Sequence, residues 1–289
     1  LAYNMRANGW EPFREIPVRQ AFACAIDKNA LAENLYRGYA QPAYTMQPRF
    51  SKWYSEEAVD GLRFGTGDLY GPEPARKRME RGIEDRPYEY DGDTLVGPDG
   101  DPVTLSLYAS SASQTNQTLA ELIAQNLQNN LGITAEVKTV TGRTFQLKYA
   151  ANSPPEGESY PWGSRFNGGP RDVSVGQNPW DMSVNIGLNT YPLTPSSSAT
   201  FFKKRGDTNY YGYVPESNIP ELYSQASSTL DEEKRAELFA EVFRKIAREQ
   251  PLGFLIMESD ITGAQDELVG PTNDFFSGWD SQRYYFADE

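Results

Sequence analysis

A strand–helix–strand run between residues 103 and 140 limits the folds open to this chain more than any other feature. The segment VTLSLYAS places Val103, Leu105 and Leu107 in alternation, the period of a strand with one buried face. Over 116–131, Leu119, Leu122, Ile123, Leu127 and Leu131 recur at helical spacing, and Gly132 stands where such a helix ends. ITAEVKTV then reads as a second strand. Two strands joined through a helix pair in parallel with a right-handed crossover, so a mainly parallel sheet is expected here. With its upstream flank, the run YEYDGDTLVGPDGDPVTLSLYAS carries Asp-Gly turn pairs and reads as a hairpin whose far arm is that first strand.

Helical periods on both sides complete an α/β pattern. Val18, Ala21, Phe22, Ala25 and Ile26 form one apolar stripe, with Pro17 suited to the first helical position. Asp27 is placed to cap a second helix, 28–36, with Leu31 and Leu35 inward and a stop at Gly38. Residues 75–82 read as a short charged helix. Pro220 opens a helix with Leu222, Tyr223, Ala226 and Leu230 inward. Asp231 caps the next, which runs through Leu238, Phe239, Val242, Phe243 and Ile246 to Glu249, and Pro251 forces the exit. LGFLIM reads as a buried strand.

Candidate chemistry is narrow. The chain has no histidine, which removes Ser–His and Cys–His nucleophile pairs and His-ligated metal sites. The sole cysteine, Cys24, lies beside the first apolar stripe and reads as core. Asp91, Asp93, Asp99 and Asp101 lack the spacing of a calcium loop, and turn chemistry accounts for them. Residues 151–180 show no period; Trp162, Arg165 and Arg171 among Gly and Pro suit either a ligand wall or a plain surface loop. No cofactor is expected.

Aspartate and glutamate total 40 against 27 lysines and arginines, a net charge of −13. A field of that sign repels phosphate backbones and disfavours nucleic-acid binding. The surplus also fits adaptation to high salt, which predicts an unfolding midpoint that falls as salt drops from molar to about 0.1 M; a midpoint indifferent to salt would contradict it. No apolar run reaches the roughly 18 residues of a membrane-spanning helix. The opening AYNM reads as an extended segment inside a fold, so a fragment or a processed chain is expected.

Three separated segments carry a resemblance: PVRQAFACAIDKNALAENLYRGYAQPA, TLAELIAQNLQNNLGITAEVKTV, and NYYGYVPESNIPELYSQASSTLDEEKRAELFAEVFRKIAREQPLGFLIM. In this order and spacing the chain resembles the family 5 extracellular solute-binding proteins, receptors of peptide and nickel ABC importers. The resemblance implies a lobe of the type II periplasmic-binding-protein kind, with a mixed, mainly parallel sheet flanked by helices. It implies a second ligand-binding lobe over 1–262 and a return segment over 263–289 toward a first lobe, with crossings near Tyr3–Asn4 and Ile256–Gly263. It further implies a location outside the cell, a lipid anchor in the missing N-terminal part, a membrane permease as partner and an oligopeptide-like solute. With the acidic composition, it points to a haloarchaeal member. In the peptide-binding branch a G-W-x-x-D-Y segment holds the solute's amino group. The matching stretch here is GLNTYPLTP, where Leu188 replaces Trp, Thr190 stands nearest the aspartate position, and Asn189 and Tyr191 complete the ligand-binding set with Trp162, Arg165 and Arg171.

Two other readings start from the same residues. A carboxylate-based glycoside hydrolase needs two acids flanking a sugar, and Asp172 with Asp181 is one candidate pair. A surface module could use the aromatics of 274–286 to bind another protein. The resemblance implies no enzyme.

Overall fold

The computed structural model describes residues 1–150, 171–172, 178–185, 195–259, 265–270 and 284–286. The chain divides into two compact units, Leu1–Met257 and Glu258–Glu289. The second contains one described antiparallel pair, Leu268–Val269 with Tyr285–Phe286.

In the first unit a mixed sheet runs β1 (Ala2–Tyr3), β4 (Met182–Ser183), β2 (Thr104–Ser110), β3 (Thr134–Val140) across its width, numbered in chain order. β2 and β3 pair in parallel from Thr104 with Thr134 to Ser110 with Val140. β4 joins β2 in parallel, and β1 joins β4 antiparallel. The expected crossover helix is α3 (Gln114–Leu131). Ser113 caps it by accepting the Asn116 N–H at 3.2 Å. It ends at Gly132 with φ +64°, where a Cβ would come within 1.9 Å of the Asp93 carbonyl oxygen, so both conformation and space require glycine. Val103, Leu105 and Leu107 are buried as their alternation predicts. The hairpin ahead of them is shorter than YEYDGDTLVGPDGDPVTLSLYAS suggests. It pairs Glu89–Asp91 with Thr94–Val96, and β2 then turns into the parallel sheet.

The remaining helices are α1 (Ile16–Ala25), α2 (Pro72–Ile83), α4 (Ile219–Ser228) and α5 (Glu232–Glu249). α1 buries Val18, Ala21, Phe22 and Ala25, and Phe22 meets Phe13, Trp10 and Tyr3 with ring centroids 5.0–5.9 Å apart. Cys24 is buried in this core, and burial pushes its thiol up to about 11. Asp27 accepts the Ala30 N–H at 2.9 Å, as a cap should, but the helix it opens is α-helical only over Lys28–Ala30 and widens into a π turn over Leu31–Leu35. Asp231 caps α5 by accepting the Lys234 N–H at 2.9 Å.

Leu230 departs from its expected place and is 93% exposed. α4 ends at Ser228 and Thr229 turns extended, so residue 230 has left the helical phase that carries Leu222, Tyr223 and Ala226 inward. LGFLIM also differs. Leu252, Phe254 and Leu255 are buried without regular strand structure, and strand begins only at Ile256. This segment runs antiparallel beside the start of the chain: Ala2 bridges Leu252, and the Gly253 N–H donates to the Leu1 carbonyl at 2.8 Å.

Lys28 is fully buried at the foot of α1. Its Nζ donates to the Ala43 carbonyl at 2.9 Å and lies 5.3 Å from the Tyr44 ring centre. Burial pushes the ammonium down from 10.5 to about 7. Between those values the unfolded chain holds a proton that the folded chain has released, so stability rises with pH across the window. Below about pH 7 both states are protonated and the folded state bears the whole cost of the buried charge. Lys28→Met should therefore remove roughly 2 kcal/mol of the stability gain between pH 7 and 9. Urea midpoints at the two pH values check this, and parallel changes in variant and parent would refute it.

Candidate functional site

The carboxyl ends of parallel strands are where open α/β sheets present ligand-binding groups. Here β2, β3 and β4 end at Ser110, Val140 and Ser183, and two asparagines lace those ends together. Asn116, in the first turn of α3, accepts the Ser110 N–H on Oδ1 at 2.6 Å and donates from Nδ2 to the Val184 carbonyl at 2.7 Å. Asn185 reaches from β4 across the end of β2 and donates to the Val140 carbonyl at 3.2 Å. Its Oδ1 is buried with no hydrogen-bond partner among the described residues. Gln117 donates to the Ser110 and Ser111 carbonyls, both at 3.3 Å. The N-terminus of α3 opens on the same edge and adds its positive dipole end.

A buried aromatic cluster starts at Tyr108, whose carbonyl accepts the Val184 N–H at 2.9 Å. Tyr108 lies 4.6 Å from Tyr149 between ring centres, Tyr149 stacks on Phe145 at 5.6 Å, and Phe145 meets Trp180 edge-on at 5.3 Å. Burial, then the neighbouring Tyr149, raises the Tyr108 phenol above its ordinary value, so it serves at neutral pH as a hydrogen-bonding group rather than an anion. Phe145 and Trp180 are buried, and Tyr108 is 6% exposed, so these rings support the strand ends from the core side, and the rim itself offers neutral hydrogen-bonding groups.

Of the seven residues expected to bind ligand, only Arg171 falls within the described residues. Trp162, Arg165, Leu188, Asn189, Thr190 and Tyr191 lie outside them. The chain position of GLNTYP is nevertheless informative, since it begins two residues after Asn185. Arg171 is partly buried in a different setting. Its carbonyl accepts the Ala7 N–H at 2.9 Å, and its side chain lines a cavity with Lys204, Arg205, Asn209 and Gly212. The carboxylates considered for hydrolysis both have structural work. Asp172 pairs with Arg14 at 2.9 Å, and Asp181 accepts the Ser106 N–H and O–H, both at 2.8 Å. Among the described residues, no group of three or more acids and thiols is disposed to hold a metal ion.

The sequence profile of the bacterial extracellular solute-binding proteins, family 5 Middle, matches residues 1–209. The chain belongs to this family. The oligopeptide-binding protein AppA of Bacillus subtilis (strain 168) is 23% identical over 270 residues, covering 91% of this chain and 43% of AppA. The chain thus spans less than half the length of that relative. Among solved structures, B. subtilis AppA in complex with a nonapeptide superposes with a TM-score of 0.59 at 17% identity, over 97% of this chain and 50% of AppA. NikZ from Campylobacter jejuni in complex with Ni(L-His) gives 0.61 at 18% identity, over 89% of this chain and 44% of NikZ. These likenesses establish the type II periplasmic-binding-protein fold for this family 5 chain.

Asn116 and Asn185 escaped the sequence reading. Their one signal was position: each follows shortly on a strand end, where a side-chain amide can serve carbonyls and N–H groups that the ladder leaves unpaired.

Proposed function

We propose that this family 5 chain is the second, ligand-binding lobe of a receptor that captures a small polar solute outside the cell and presents it to the permease of an ABC importer. The observation that carries the reading is the family match over 1–209, joined to a polar rim at the parallel-strand ends. An oligopeptide-like solute is the favoured class, supported by the named ligands of AppA. The lobe occupies 1–262, and 263–289 returns toward a first lobe carried by another part of the receptor, which also bears the lipid anchor. The side-by-side antiparallel segments at Ala2 and Leu252 support two adjacent crossings that act as a hinge. No catalytic step is assigned. Residues 188–191 supply the contacts that follow Asn185, and Thr190 in place of an aspartate offers neutral hydrogen bonds about half as strong as charge-assisted ones.

In the full-length receptor, Tyr191→Ala should weaken solute binding about tenfold while the thermal midpoint stays within a degree or two. Calorimetric titration with the co-purifying solute reads the first quantity and thermal scanning the second. Unchanged affinity would remove Tyr191 from the site.

A further inference from the structure

The cavity that Arg171 lines is positively charged in an otherwise acidic protein. It holds about 210 Å³ and is bounded by Arg171, Asp172, Lys204, Arg205, Asn209 and Gly212, with Tyr213 and Val214 closing one side. Three cations and one carboxylate line it; the carboxylate, Asp172, is already paired with Arg14 at 2.9 Å, and Glu15 and Glu216 also act on Arg171. A fourth cation, Arg6, lies buried behind Gly212, close enough to Asp172 for the two to interact. Gly212 has φ +79°, and a Cβ there would sit 2.6 Å from Arg6 Cγ and 3.3 Å from Arg171 Cβ, so glycine lets both arginine stems converge.

The wall is built rather than loose. Asn209 is buried and donates to the Lys203 carbonyl at 2.9 Å and the Tyr213 carbonyl at 2.7 Å while accepting the Tyr213 N–H at 2.9 Å. The Met5 N–H donates to the Tyr211 carbonyl at 2.9 Å and fixes the loop to the segment after β1 that carries Arg6. Arg205 has φ +57°, a conformation uncommon for a side chain of its size. The partly buried guanidinium fork of Arg171, with Lys204 and Arg205 at the exposed mouth, suits a planar or tetrahedral oxyanion.

We propose that the cavity between 171–172 and the 204–214 loop is a binding site for a small oxyanion of carboxylate or sulfate size. The volume admits one such group, and the excess of positive charge overcomes the repulsion that a net charge of −13 imposes elsewhere on the surface. Two sources share this chemistry: a free inorganic anion, and a carboxylate carried by a larger molecule.

Calorimetric titration of the 289-residue chain at fixed ionic strength tests the site and separates the sources. Saturable binding of sodium sulfate without acetate assigns a free inorganic anion; saturable acetate binding assigns a carboxylate. The paired substitutions Lys204→Glu and Arg205→Asn should weaken whichever anion binds at least tenfold. Lys204 and Arg205 are exposed, and Asn tolerates the left-handed backbone at 205, so the fold survives the change. Lys52→Glu removes a cation outside the cavity and should leave affinity unaltered. Saturation by neither anion, or equal weakening by Lys52→Glu, overturns the proposal. No transported solute enters the experiment, so its failure would leave the receptor reading standing.

Discussion

Arg19→Met should cost the chain about 4 kcal/mol of stability, read as a drop in the urea midpoint at unchanged slope. Arg19 is 1% exposed and serves four backbone carbonyls. Nε donates to Glu249 at 2.9 Å and Gln250 at 3.1 Å, and Nη1 to Phe13 at 2.7 Å and Arg14 at 2.9 Å. Two of these acceptors lie at the C-terminal end of α5, where carbonyls have no partner within the helix. The others lie at the turn leading into α1. One guanidinium thus caps one helix and fixes the approach to another across more than two hundred residues of chain. Methionine fills the volume but leaves four acceptors in an apolar setting, and each unmet buried group costs about 1–3 kcal/mol before relaxation. Arg19→Lys should recover only part of the loss, because an ammonium cannot span the same fork. A cost below about 1 kcal/mol for Arg19→Met would show that the carbonyls find other partners.

Glu249→Gln should produce the next largest effect, about 3 kcal/mol, and a local one. The carboxylate is buried beside Arg19 and accepts from the Tyr213 hydroxyl, the Ser217 hydroxyl, and the Glu216 and Ser217 N–H groups, the last two at 3.0 Å. Glutamine keeps one acceptor and turns an amide donor toward groups that are themselves donors. Hydrogen exchange at the Glu216 and Ser217 amides should accelerate about a hundredfold while exchange within α3 changes less. Uniform acceleration throughout Leu1–Met257 would mean that Glu249 acts on global stability alone. The Arg19 and Glu249 substitutions share partners, so the double variant should lose less than the summed costs.

These two residues also explain why the sequence was legible. The stretches that carried the family resemblance, VRQA near the start and EQP near the end, are the two halves of one buried network. They mark the fold rather than the ligand. Elements whose determinants are local were readable for the same reason: Asp27 and Asp231 accept the capping N–H groups their positions predict, and Gly132 ends α3. Local phase failed where chain geometry changed between residues, as at Leu230. The strand-end rim was hidden because it depends on contacts such as Asn116 with Val184, 68 residues apart. The charged cavity was hidden likewise, since Arg6, Arg171 and Lys204 share no local pattern.

The solute-receptor reading meets its most direct test in small-angle scattering from the full-length receptor, measured with its co-purifying solute and again after that solute is removed by unfolding and refolding. Closure of two lobes about the paired segments at Ala2 and Leu252 predicts a radius of gyration that is smaller with solute bound and returns on re-addition. A receptor that retains no solute, and whose radius stays constant across an oligopeptide mixture, would contradict the account.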